Sequence, residues 1–160
     1  MKQDPTPPAD ALERATAQEF LALPHAALAY IGQDGFPGIS RIALGRDAAG
    51  VPLTLISSLA PHFAALKAQP NCALMLGEPG PKGDPLTHPR LMLRARASFA
   101  DAADRPVLRD LWLATHPKAK LYVDFTDFAF VRLVPLGALL NGGFGKARII
   151  EAQDLLVKPQ

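Results

Sequence analysis

A single cysteine, Cys72, stands among 160 residues, so no disulfide can form within the chain and a reducing compartment fits. It lies inside the apolar run NCALML and reads as a small core side chain rather than a nucleophile. Long apolar stretches are scarce. The longest, residues 20–31, is broken by Pro24 and His25. It falls short of the roughly 20 residues that span a bilayer. The N-terminus, MKQDPTPPAD, lacks the apolar centre of a secretory signal. Charge of one sign is also missing. Seventeen basic residues against fifteen acidic leave a net +2, too balanced to argue for nucleic acid. The expectation is a soluble cytoplasmic protein with no membrane or nucleic-acid partner. With 49% hydrophobic and 20% charged residues, the chain is globular rather than disordered.

The strong chemical motifs are absent as well. The sequence has no GxxxxGK[ST], no GxGxxG, no HExxH and no GxSxG. Four scattered histidines, His25, His62, His88 and His116, give no metal-binding spacing, so no metal is expected. Ser58 and His62 could meet across one helical turn, but they lack an orienting carboxylate and oxyanion donors. No residue is singled out as a catalytic acid, base or nucleophile.

What is present is a pattern of short strands punctuated by turns. Residues 1–8 read as a flexible polar tail and 9–160 as one domain. Residues 9–22 form an amphipathic helix ended by Pro24. Strands are expected at 26–32, 38–44 and 51–57. Turns at Gln33-Asp34-Gly35 and 46–50 join them, so an antiparallel meander is the simplest pairing. A helix at 61–69, a strand at 71–77 and a Gly/Pro-rich loop follow. RLMLRARASFA (90–100) alternates apolar and basic residues, as a half-buried strand does. A helix at 104–117, a strand at 127–140 bent by Pro135, the break NGGFG (141–145) and a last strand complete the chain. About six strands with inserted helices predict a mainly β, α+β fold, a six-stranded antiparallel split β-barrel.

The stretch LISSLAPHFAAL (55–66) joins a strand to a helix through two hydroxyls and a histidine. A helix start carries unpaired N–H groups and positive dipole. Ser57, Ser58 and His62 add donors, and a meander would bring Arg41 to the same end. Together they would clamp a phosphate. The residues read equally well as a capping serine, a surface histidine and an arginine lying along the sheet.

Four islands resemble one family: SRIAL with Arg41; LISSLAPHFAAL; GDPLTHPRLMLRARA (83–97); and HPKAKLYVDFTDFAFVRL with NGGFGKA (116–147). In this order they are similar to the pyridoxamine 5′-phosphate oxidase-like, FMN-binding split-barrel superfamily, and within it to the haem-utilisation-protein branch. The resemblance implies a homodimer with FMN at the subunit interface. It assigns the phosphate grip to Arg41, with Ile42, Ala43 and Leu44 as strand backbone beside the flavin. Ser57, Ser58 and His62 would form the strand-to-helix turn, and Gly142, Gly143 and Phe144 a late turn near the ring. His62-Phe63-Ala64-Ala65 departs from the branch pattern by one hydroxyl and one amide donor. The chain ends soon after the barrel, without the tail histidine of haem-degrading relatives, which counts against haem breakdown.

The function implied is an FMN-dependent oxidoreductase acting on an unidentified small molecule. The alternatives are a haem-binding or haem-degrading protein of the haem-utilisation type, and a non-catalytic flavin carrier or cofactor-free dimeric binding module.

Overall fold

The computed structural model describes residues 6–156. Asp10 opens helix α1 (Ala11–Leu21) with a reciprocal cap: its carboxylate accepts from the Glu13 amide at 2.8 Å, and Glu13 accepts from the Asp10 amide at 3.0 Å. The buried face of α1, Ala17 and Leu21, lies on the inner side of a curled sheet.

The strands are β1 (His25–Ile31), β2 (Pro37–Ala43), β3 (Gly45–Arg46), β4 (Pro52–Ser57), β5 (Asn71–Leu76), β6 (Arg90–Phe99), β7 (Phe128–Asn141) and β8 (Ala147–Ile150). Helix α2 (Pro61–Ala68) follows β4, and α3 (Arg105–Thr115) follows β6. All the strands pair antiparallel in one sheet of order β2-β1-β5-β6-β7-β4-β3, with β8 on the end of β7. The sheet is a curled half-barrel of the split-barrel kind. Alternation sends Leu28, Leu74, Leu93 and Leu140 inward onto α1, where each is nearly inaccessible. Burying one such side chain contributes roughly 1.5–3 kcal/mol.

Eight strands stand where about six were expected. Strand β3, for which no strand was expected, ends at Arg46, the first residue of the expected 46–50 turn. Asp47 tightens that turn by accepting from the Ala49 and Val51 amides, so Gly45 and Arg46 line up with Leu53 and Pro52. The expected meander also gives way. The strand at β4 does not pair with β2; it pairs with β3 and β7. Residues 52–56 of β4 are buried on both faces, which demands an interior place. Ile56 meets the main core, while Leu53 and Leu55 meet a second cluster under α3 with Trp112, Val123 and Phe130. The half-exposed β2 is left as an edge.

Residues 1–5 of the expected tail lie outside the described residues. Beyond them, Pro7 accepts from the Ile149 amide and the Ala9 amide donates to Ile149, so this part lies against β8. The bend expected at Pro135 is a register break: Leu136 bulges out between Pro135, opposite Ala95, and Gly137, opposite Arg94. After α3 the chain makes a short 3-10 turn, Pro117–Leu121.

Candidate functional site

The edge strand β2 and the part of β4 beyond its short pairing with β3 lie side by side without a ladder, and side chains close the gap. The hydroxyl of Thr54, fully buried, donates to the Ala43 carbonyl at 2.7 Å. From α2, the His62 Nδ1 stands 3.2 Å from the Ser40 hydroxyl, and its ring centroid is 5.9 Å from that of Tyr30. Burial lowers the His62 pKa below the usual histidine value.

This seam separates the residues expected to meet. Ser40, Ile42 and Leu44 belong to one side of β2, and Ile42 and Leu44 sit in the main core. Ala43 packs on the second cluster, so Arg41 and Ala43 face the other side. Ser57 alternates with Ile56 and shares the side of Leu55, the same as Arg41. His62 is therefore on the inner side of the seam, while Arg41 and Ser57 are on the outer side. Arg41 is exposed and makes no hydrogen bond or ion pair among the described residues. The backbone at Ala43 and Leu44 is occupied: Ala43 accepts from Thr54, and the Leu44 amide donates to Pro24.

The donors of the strand-to-helix corner are also largely spent. The Ser57 hydroxyl donates to Asp127 Oδ2 at 2.8 Å and accepts from the Leu59 amide at 3.2 Å. The Ser58 amide donates to the Asp127 carbonyl at 2.7 Å, while its side chain is exposed. Ala60 caps α2 without a side-chain bond, and Pro61 brings no N–H. Sequence reasoning missed Asp127, because nothing local marks a residue 70 positions from Ser57 as its partner.

Gly142, Gly143 and Phe144 form a turn in which the Gly142 amide donates to Lys146 and the Gly143 amide to Asn141 Oδ1. Gly143 has φ 125°, and a Cβ there would come within 3.1 Å of the Thr87 carbonyl. The turn follows Asn141, at the opposite end of β7 from Phe128–Arg132, which pair with β4 beside the seam.

The outer face carries a second pattern. One row crosses the sheet through Arg41, Ala27, Met75, Met92, Leu139 and Ile149. Ile39, Ala29, Ala73 and Arg94 form the next row, with Arg96 beyond. Among the described residues, no Asp or Glu occupies an outward position on these strands.

No family model matches the chain. The non-canonical heme oxygenase HOZ, chloroplastic, of Arabidopsis thaliana is 38% identical over 104 residues, which are 64% of this chain and 30% of that protein. A solved chain without a descriptive name is 40% identical, with TM-score 0.81, covering 94% of this chain and 99% of its own. The heme binding protein from Mycobacterium smegmatis superposes with TM-score 0.81 at 23% identity, over 92% of this chain and 61% of that one. A Clostridium acetobutylicum protein of the pyridoxinephosphate oxidase family gives TM-score 0.70 at 15% identity, over 92% and 99%. The chain shares the split-barrel fold of these solved proteins, and its sequence is similar to that of the plant heme oxygenase.

The split of this split barrel is the β2–β4 seam, and among the described residues the sheet's outer face is an uncovered surface of apolar and basic side chains. The chain spans 30% of the length of the Arabidopsis relative. Among the described residues no group of three or more His, Cys, Asp or Glu side chains could hold a metal ion, and no helix is long and apolar enough to cross a membrane.

Proposed function

We propose that the chain binds a haem-type porphyrin on the outer face of its sheet, between two copies. The observation that supports this reading is the composition of that face. Ala27, Ala29 and Ala73 are low enough for a flat ring to approach, and Met75, Met92 and Leu139 give it apolar contact. Arg41, Arg94 and Arg96 make no ion pairs among the described residues and suit the two carboxylates of a porphyrin through paired N–H bonds. His25, at the end of this face, offers an imidazole whose Nε2 stands 3.7 Å from Glu78 Oε1. When bound, an iron porphyrin supplies the redox and oxygen chemistry. The chain's own residues bind it, orient it and shield it from water. Two such faces, whose strands carry arginines and no carboxylate, repel one another unless an anion lies between them, which is why ligand and homodimer belong to one proposal. The names of the Arabidopsis and mycobacterial relatives agree with this reading.

FMN at the same interface, in an oxidoreductase or a flavin carrier, is the second reading. The unpaired Arg41 and the exposed Ser58 hydroxyl favour it. Haemin titration separates the two. A saturable Soret band near roughly 400 nm, with a shift from monomer to dimer in sedimentation, is expected. Flavin retained in purified protein with no response to haemin would overturn the porphyrin reading.

A further inference from the structure

The corner where β4 meets α2 is built around a carboxylate. Asp127, just before β7, holds it twice: its carbonyl accepts from the Ser58 amide at 2.7 Å and its Oδ2 from the Ser57 hydroxyl at 2.8 Å. An anion site needs free donors, and here they are nearly exhausted. The one hydrogen of the Ser57 hydroxyl goes to Asp127, so that oxygen meets Leu59 only as an acceptor. The Ala60 amide donates to the Ser57 carbonyl and the Phe63 amide to the Ala60 carbonyl. Pro61 has no N–H. From Ser58 to Phe63, the His62 amide and the exposed Ser58 hydroxyl are the donors left without an acceptor among the described residues. The His62 ring is turned to Ser40 on the inner side of the seam. The Asp127 carboxylate stands at the turn where the family resemblance would put a phosphate, on the side of the seam that Arg41 faces.

We propose that Asp127 is a specificity residue. Its carboxylate closes the β4–α2 corner to the phosphate of FMN and leaves the outer face to planar ligands whose anions reach the arginines of β2 and β6. The first half stands on the corner alone; the second rests on the porphyrin reading.

The test compares FMN with riboflavin, which carries the same ring without the phosphate, by quenching of flavin fluorescence on the full chain. Wild type should hold FMN no more tightly than riboflavin. Asp127→Asn keeps an acceptor for Ser57 and removes the charge. It should tighten FMN by about tenfold while riboflavin stays unchanged. Arg41→Ala added to Asp127→Asn should cancel that gain. Asp127→Ser, judged by the same ratio, stands in if the asparagine variant does not fold. A wild type that prefers FMN by tenfold or more overturns the proposal. So does an FMN-to-riboflavin ratio that the variants leave unmoved. Haemin titrated into the same preparations should give equal affinities for wild type and Asp127→Asn. No haemin binding to either would remove the porphyrin reading and leave the flavin ratio to decide on Asp127.

Discussion

Thr54 reaches across the split of the barrel to Ala43, hydroxyl to carbonyl at 2.7 Å, and so ties two strands that share no ladder. Thr54→Val keeps the shape and leaves a buried carbonyl without its partner. A loss of about 1–3 kcal/mol is expected in urea unfolding. Thr54→Ser, which retains the hydroxyl, should lose less. Equal losses would mean that the seam is held by packing alone.

Asp47 is buried and accepts from two amides and from Arg132 Nε at 2.8 Å; Arg132 also reaches Asp104 at 3.0 Å. The hydrogen bond to Asp47 is the main cause that holds the Arg132 pKa above its ordinary value. Arg132→Met leaves a carboxylate uncompensated and should cost about 3 kcal/mol. Asp47→Asn in the same background should recover part of that, because the charge is gone. Thermal unfolding of the single and double variants checks the coupling.

His62 has its pKa lowered by burial. The unfolded imidazole titrates near ~6.5 and therefore binds more protons than the folded one in this window. The stability it contributes is complete above about pH 6.5 and is lost as pH falls through the lower folded value. His62→Gln should flatten the stability profile as pH falls below about 6.5. An unchanged slope would assign the acid sensitivity to other groups.

The Cys72 thiol is pushed up to about 11 by burial, and its sulfur lies 3.6 Å from the Ala95 carbonyl. At pH 8 the native protein should alkylate with iodoacetamide at least about a hundredfold more slowly than protein in urea. Comparable rates would show that the β5–β6 pairing opens readily.

Arg94 projects from the centre of the outer face. Arg94→Ala should weaken haemin by roughly tenfold, the loss of one charge-assisted pair, with unfolding midpoints unchanged. Unaltered affinity would move the carboxylates elsewhere.

Much of this fold was legible because proline and glycine mark its boundaries. Pro24, Pro61 and Pro70 frame α1, α2 and β5. The strand alternation of β6 was written in Arg90, Leu91, Met92, Leu93 and Arg94. The place of β4 was not legible. Its partner β7 lies some seventy residues on, and local pattern carries no such distance. The candidate site was half legible for the same reason. Arg41 and Ser57 do share a side, but the side taken by His62 was fixed by where α2 crosses the seam, and Asp127 arrived from a distant strand start.

A surface that bears arginines and no acids also sets a rule for assembly. Two chains paired there as proposed could not neutralise each other, so a bound anion would be the counter-ion of the complex. Apparent ligand affinity should then climb with chain concentration and fall with added salt, and loading and pairing become a single linked equilibrium.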